Sequence, residues 1–211
     1  MVRQFITLFN REIKGLHEAA YLLAFFAFLS QLLALVRDKL LAYTFGANHI
    51  LDIYYASFRI PDLIFVTIAS VVSASVLVPF LTERHEKDED KGKRFIDDVF
   101  SLFFLAMVVV SVIIFAIAPM IIPIVLPGFA HDPMLPELIS ATQLLLLSPF
   151  FLGISNFLSS ITQMHRRFLV YAISPLLYNI GIIIGITLLY PLFGLQGLVG
   201  GVVVGAMLHA C

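Results

Sequence analysis

Five stretches of this sequence contain no Asp, Glu, Lys or Arg: residues 19–36, 63–82, 99–131, 138–165 and 168–211. A helix of about 20 apolar residues is long enough to cross the hydrocarbon core of a bilayer, which is roughly 30 Å thick. The chain is 60% hydrophobic and 13% charged, whereas soluble domains carry about 25% charged residues. These features predict an all-α, polytopic helical membrane protein. They exclude a soluble enzyme, a disulfide-rich secreted domain and a disordered protein.

We expect five complete transmembrane helices and the beginning of a sixth, at residues 19–36, 52–81, 99–118, 138–164, 168–190 and 198–210. The last helix would be only about 20 Å long, which is shorter than a bilayer crossing. We therefore expect a chain that is incomplete at its C-terminus. Its expected parts are a cytoplasmic N-terminal segment at 1–18 and one transmembrane lobe at 19–211.

Lys and Arg residues predict the orientation, because cytoplasmic loops of membrane proteins carry an excess of both. Three lie in the N-terminal segment, five lie in 83–94, and two are adjacent at Arg166 and Arg167. The connections at 119–137 and 191–197 carry none. This alternation predicts a cytoplasmic N-terminus. It also predicts that 83–94, with five acidic and five basic residues, is a solvated cytoplasmic loop.

Charged residues lie in or beside the first two predicted helices: Arg37, Asp38, Asp52, Arg59 and Asp62. A charge inside a membrane is costly unless it faces water or a partner, so such residues mark transport pathways by default. Asp52 and Arg59 are seven residues apart and are expected to share a helix face. Pro61 removes a backbone donor and can open the helix there. This pattern predicts an aqueous cavity; the alternative is that these charges lie at the membrane surface.

Small and polar residues in the last two predicted helices suggest packing. Glycines recur every four residues, first at Gly181 and Gly185 and then at Gly197, Gly201 and Gly205. This spacing lets two helices approach closely, so it predicts a helix–helix contact. Pro175 and Asn179 are expected to mark a kink with a polar partner.

The sequence contains no pattern that supports catalysis or metal binding. It has one cysteine, six widely separated histidines and no nucleophile–base pair. The net charge is −1, and no basic–aromatic pattern points to nucleic acid. We therefore expect a protein that is not an enzyme, needs no cofactor or metal and binds no nucleic acid.

Several short motifs follow one another in a fixed order: Arg37-Asp38, Phe45-Gly46-Ala47, Asp52, Phe58-Arg59-Ile60-Pro61-Asp62, Val78-Pro79, Pro127-Gly128-Phe129-Ala130, Gln143-Leu144, Arg167-Phe168, Pro175 and Asn179. In this order and spacing they resemble the MurJ/MviN family. These are the lipid II flippases of the multidrug/oligosaccharidyl-lipid/polysaccharide exporter superfamily. The resemblance runs from about residue 20 to the end of the chain.

The resemblance implies one of two six-helix lobes around a central cationic cavity. It implies that a lipid-linked cell-wall precursor of the lipid II type moves from the cytoplasmic to the outer leaflet of the bacterial plasma (inner) membrane by alternating access. The implied partners are this precursor, the membrane lipids and a second transmembrane lobe. By the resemblance, Arg37 matches a cavity arginine that the family needs for activity, Asp52 matches an acidic residue near the outer mouth, and Arg59 matches a basic position of the second helix. Asp38 would orient Arg37, so these four residues are expected to bind substrate.

The sequence also departs from the family pattern. Gln31 and the pair Phe65-Val66 stand where the family has arginines, Ala34 replaces a glycine, and Ser70 replaces a glutamate. Three arginines and one acid of the expected cavity are therefore absent. Two alternatives stay open: export of another polyprenyl-linked oligosaccharide, and a non-transporting lobe left by a split gene.

Overall fold

A computed structural model of the chain describes residues 15–68, 89–164 and 168–210, and these residues form helices without any β-strand. The α-helices are α1 (Leu16–Phe45), α2 (His49–Ser57), α3 (59–68), α4 (Glu89–Val125), α5 (Leu135–Leu145), α6 (Leu147–Met164), α7 (Phe168–Ile184), α8 (Tyr190–Phe193) and α9 (Leu195–His209). A 3-10 turn, Pro127–Phe129, follows α4, and a π-helix, Gly185–Leu189, joins α7 to α8. The predicted all-α fold is confirmed.

Four helical segments among the described residues are long and apolar enough to cross a membrane: His17–Phe45, Phe100–Val125, Leu135–Ser159 and Phe168–Phe193. They correspond to the first, third, fourth and fifth predicted helices, so the prediction of a polytopic membrane protein is confirmed. The sixth predicted helix is the shorter apolar helix Leu195–His209. The second is helical over α2 and α3, and its remaining residues, 69–81, lie outside the described part of the chain.

The predicted end of the first helix, at residue 36, is too early. Charged residues end the apolar stretch there, but they do not end the helix. Helix α1 continues through Arg37 and Asp38 to Phe45. It stops at Gly46, which has a φ of 57° and donates its N–H to the Ala42 carbonyl at 2.8 Å. Glycine adopts this left-handed backbone more readily than other residues. Arg37 therefore lies about two turns inside a helix.

Part of the charged stretch 83–94 is helical for the same reason. Residues 89–94 form the first turns of α4, so the predicted loop is wrong over these six residues. Residues 83–88 lie outside the described part of the chain, and so does the N-terminal segment at 1–14.

Helix α4 contains two prolines, and the structure compensates for one of them with a side chain from another helix. Pro119 has no N–H, so it cannot donate to the carbonyl of Phe115 four residues earlier. Gln143 of α5 donates its Nε2–H to this carbonyl at 2.9 Å. An unpaired carbonyl in lipid would cost several kcal/mol. This bond therefore ties α4 to α5 where the helical ladder is interrupted.

Helix α9 lies at the centre of the described helices. It packs on α5, α6 and α7, and Leu198, Val199 and Val202 are fully buried. Against α7 the two backbones come so close that a methyl group added at Gly181 would collide with Gly205. The predicted glycine-mediated helix contact is confirmed, and it fixes α7 in place.

The glycine contact predicts a position-specific effect on stability. A methyl group at Gly201 would collide with the backbone of Gly185, whereas one at Gly200 meets no atom within 4 Å. Gly201→Ala should therefore lower the free energy of unfolding by about 1–3 kcal/mol through overpacking. The control Gly200→Ala should leave stability unchanged or raise it by up to about 1 kcal/mol, because alanine favours helix. Equal effects of the two substitutions in a thermal unfolding assay would contradict this packing.

Candidate functional site

A cavity of about 430 Å³ lies between α1, the junction of α2 and α3, and α7. Its wall combines two arginines, two carboxylates and several aromatic rings: Arg37, Arg59, Asp38, Asp62, Tyr54, Tyr55, Phe58 and Tyr178. Three of the four residues expected to bind substrate, Arg37, Asp38 and Arg59, therefore meet at one site. Asp62 joins them from the position three residues after Arg59.

Arg37 is held on two sides. Its Nε donates to Asp38 Oδ1 at 2.9 Å, and its Nη2 lies 2.7 Å from the same oxygen. Its Nη1 donates to Asn179 Oδ1 of α7 at 2.9 Å. The Arg37 side chain as a whole is 24% exposed. The structure thus places Asp38 in direct contact with Arg37, and the second contact comes from a distant part of the chain.

Asn179 is the polar partner that the Pro175 motif predicted. It is 5% exposed, and its Nδ2 donates to the carbonyl of Pro175 at 3.0 Å and to Ser30 Oγ at 3.4 Å. These two acceptors fix which end of the amide carries the oxygen, and that oxygen points to Arg37. Asn179 therefore joins α7 to α1 directly behind the cavity wall.

The break between α2 and α3 shapes the cavity. Pro61 cannot donate to the carbonyl of Ser57, and α2 ends at Ser57. The ladder resumes when Asp62 N–H bonds the carbonyl of Phe58 at 2.9 Å. The prediction that Pro61 opens this helix is confirmed. The break leaves Tyr54 and Phe58 as an edge-to-face pair, with ring centroids 5.0 Å apart, on the cavity wall.

Asp52 lies apart from these residues. It does not line the cavity, and it belongs to α2, whereas Arg59 belongs to α3. Its side chain is 70% exposed and lies 3.8 Å from His49 Nδ1. A seven-residue spacing places two side chains on one face only when the helix between them is continuous.

His49 instead joins the start of α2 to the turn before α5. Its Nε2 lies 2.8 Å from Asp132 Oδ2, and its ring stacks on Phe129 with centroids 6.2 Å apart. The hydrogen bond that His49 donates to the Asp132 carboxylate raises the pKa of His49, and the charge of Asp52 adds to this effect. The bonds from His49 and from the Met134 N–H lower the pKa of Asp132. Both groups lie outside the four segments that can cross a membrane.

Sequence reasoning missed the aromatic half of the site. Tyr54 is buried and Tyr178 is partly buried, and these two residues of different helices meet at the cavity. Tyr178 precedes Asn179 in a motif already recognised, and that adjacency was the available signal. Nothing in the sequence around Tyr54 distinguishes it from Tyr55. Of the positions that depart from the family, Phe65 and Val66 lie on α3, whereas Ser70 lies outside the described residues. Two of the matching motif positions, Val78-Pro79 and Arg167, also lie outside the described residues.

Comparison with known proteins places this chain in a family. The family model described as lipid II flippase MurJ matches residues 41–211. The chain belongs to the MurJ family. It is 28% identical over 193 residues to the probable lipid II flippase MurJ of Buchnera aphidicola subsp. Baizongia pistaciae, which covers 88% of this chain and 37% of that relative.

Two further relatives give the same picture. The probable lipid II flippase MurJ of Buchnera aphidicola subsp. Acyrthosiphon pisum is 31% identical over 159 residues, or 74% of this chain and 31% of the relative. The lipid II flippase MurJ of Thermosipho africanus is 29% identical over 183 residues, or 86% and 37% respectively. The chain therefore spans about a third of the length of these curated MurJ relatives.

The contact between His49 and Asp132 predicts a pH-dependent turn. Because the pKa of His49 is raised, its contribution to stability is complete below the ordinary histidine value of 6.5 and is lost as the pH rises through the higher folded value. Because the pKa of Asp132 is lowered, its contribution is present above the ordinary value of 3.8 and is lost as the pH falls through the lower folded value. The turn should be most stable between about pH 4 and pH 6.5.

Hydrogen exchange at the Met134 amide, which donates to Asp132 Oδ1 at 2.8 Å, measures this stability after correction for intrinsic rates. Protection should fall as the pH rises above about 6.5 in the original protein and in the control Asp52→Asn. It should be nearly independent of pH in His49→Gln. An unchanged pH dependence in His49→Gln would contradict the role of this histidine.

Proposed function

We propose that this chain forms part of a carrier that moves a polyprenyl diphosphate-linked cell-wall precursor of the lipid II type to the outer leaflet of the bacterial plasma membrane. The observation that carries the proposal is the presence of two arginines, Arg37 and Arg59, in a cavity of a helical membrane domain. Membership of the MurJ family supports it, since the relatives are named as lipid II flippases. The protein would be a transporter rather than an enzyme.

The chemistry of such a cargo explains why arginines would be needed. A diphosphate headgroup is strongly hydrated, so it enters an apolar membrane only if a wet, positively charged cavity replaces its water shell. Arginine stays protonated in proteins, and its planar fork matches two oxygens of a phosphate. Arg37 would bind the phosphate in an orientation set by Asp38. Arg59, which lines the same cavity from α3, would provide a second contact.

The exposed apolar surface of the helices supports the proposed partners. In both α1 and α4 only 6% of the most apolar window is buried inside the described structure. On α1, for example, Phe28 is 63% exposed and Leu35 is 65% exposed. Such surface is stable only against lipid tails or another apolar helix. We therefore propose that membrane lipids and a second transmembrane lobe cover it.

Transport would follow from rocking of this lobe against a second lobe around a fixed site, which is the usual form of alternating access. The cavity described here would be one wall of that site. We propose an orientation with a cytoplasmic N-terminus, because connections rich in Lys and Arg alternate along the chain with connections that have few or none. The rich connections, which include the N-terminal segment, would lie on the cytoplasmic side.

A second candidate is the export of another polyprenyl-linked oligosaccharide by the same mechanism. The balance of charge in the cavity favours considering it, because two aspartates offset the two arginines. Phe65 and Val66 of α3 add no positive charge at positions where the family resemblance implies arginines. A headgroup with less negative charge would complement this cavity better than a strongly anionic one, because its positive and negative charges are balanced.

The proposed function predicts a specific loss on substitution of Arg37. In proteoliposomes containing the protein, Arg37→Ala should reduce translocation of a lipid II analogue at least about tenfold, the effect of losing roughly 1.4 kcal/mol of binding. Lys39→Ala is a matched control, since it removes a positive charge two residues further along α1 and outside the cavity lining. It should transport at the original rate.

Arg37→Lys should fall between these two, because lysine keeps the charge but loses the planar fork. Membrane insertion of each variant is checked by its yield after detergent extraction. Normal translocation by correctly inserted Arg37→Ala would rule out the proposed role of the cavity. Equal transport of lipid II and of a different polyprenyl-linked oligosaccharide would favour the second candidate.

A further inference from the structure

Asn179 stands behind the cavity wall and touches the residue on which the proposed function depends. We infer that Asn179 is a positioning residue, which fixes the Arg37 guanidinium so that two of its N–H groups are left for one phosphate of the cargo. This inference rests on the proposed function and specifies how its central arginine would bind.

The first step is a count of donors on Arg37. A guanidinium group has five N–H bonds. Asp38 Oδ1 lies within hydrogen-bond distance of Nε and Nη2, at 2.9 and 2.7 Å, and Asn179 Oδ1 accepts from Nη1 at 2.9 Å. Two hydrogen bonds, from Nε and Nη1, and the ion-pair contact of Nη2 therefore occupy at most three of the five N–H bonds, which leaves at least one on each terminal nitrogen. One donor on each of two neighbouring nitrogens suits two oxygens of the same phosphate.

The second step concerns the orientation of the amide. Asn179 is 5% exposed, so its side chain has little room to change rotamer. Its Nδ2 donates to the Pro175 carbonyl at 3.0 Å and lies 3.4 Å from Ser30 Oγ. A flipped amide would place an oxygen against the Pro175 carbonyl and an N–H group against a cation. The surroundings of Asn179 therefore keep its oxygen on Arg37.

The third step concerns charge. Arg37 already has one anionic partner, Asp38. The Asp38 side chain is 54% exposed, so solvent partly screens the attraction between the two charges. A neutral amide oxygen adds a second contact without adding a second negative charge. A carboxylate at position 179 would hold the guanidinium more tightly, but it would also cancel its attraction for a phosphate. The proposal therefore requires an acceptor at this position that is both fixed and neutral.

The test measures binding of farnesyl diphosphate and of farnesol to the protein in lipid nanodiscs. The ratio of the two dissociation constants reports recognition of the diphosphate alone. Asn179→Leu should lower this ratio about tenfold, as expected for loss of a charge-assisted hydrogen bond that orients the binding group. Asn179→Asp should lower it further, although the substitution keeps the shape of the side chain and an acceptor for Arg37.

Thr187→Val is the matched control. Thr187 also donates from a polar side chain to a carbonyl four residues earlier, that of Ile183 at 2.8 Å, but it does not line the cavity. It should keep the original ratio, and the melting temperature of each variant verifies folding. If Asn179→Leu does not fold, Asn179→Asp, which changes only one group, still decides the question.

Three outcomes separate the possibilities. A reduced ratio in the folded Asn179 variants, with an unchanged ratio in Thr187→Val, supports the inference. If the original protein prefers farnesyl diphosphate and Asn179→Asp keeps that preference, Asn179 is only structural and the inference is overturned while the proposed function stands. If the original protein binds farnesyl diphosphate no better than farnesol, the proposed function fails and the inference fails with it.

Discussion

The guanidinium group of Arg37 within a long apolar helix is the feature on which the rest of the site depends. A charge in this position is tolerated only with fixed partners and access to water. Asp38 is the adjacent residue on α1, and Asn179 reaches Arg37 from α7, so both helices must pack side by side. The cavity forms where α2 ends early and leaves Arg37 beside Arg59 and Asp62.

Close backbone packing elsewhere holds this arrangement together. The glycines of α9 let α7 approach so closely that a single methyl group at Gly181 or Gly201 would collide with the opposite backbone. Because α9 also packs on α5 and α6, the position of Asn179 is set by the buried centre of the lobe. Gln143 plays a comparable part for α4, where it replaces the donor that Pro119 lacks. Van der Waals packing and a few buried hydrogen bonds thus replace the hydrophobic driving force of soluble proteins.

The sequence predicted the parts of the structure that depend on local patterns. Charge-free stretches identified the helices, and the adjacency of Arg37 and Asp38 identified their ion pair. The contact of Arg37 with Asn179 joins residues 142 positions apart, and only the packing of α1 on α7 creates it. Asp52 lies on α2, which ends at Ser57, and it does not line the cavity that Arg59 lines from α3. Helices α1 and α4 extend beyond their predictions because charged residues are compatible with helix outside the apolar core.

Water access to the cavity tests the central claim most directly. In a Cys211→Ser background, Tyr55→Cys would place a thiol on the cavity wall, and Leu35→Cys would place one on the exposed apolar surface of α1. The claim predicts that a membrane-impermeant anionic thiol reagent labels Tyr55→Cys, that farnesyl diphosphate slows this labelling, and that Leu35→Cys stays unlabelled in lipid nanodiscs. Equal labelling of the two thiols, or no labelling of Tyr55→Cys, would contradict an anion-binding aqueous cavity at this site.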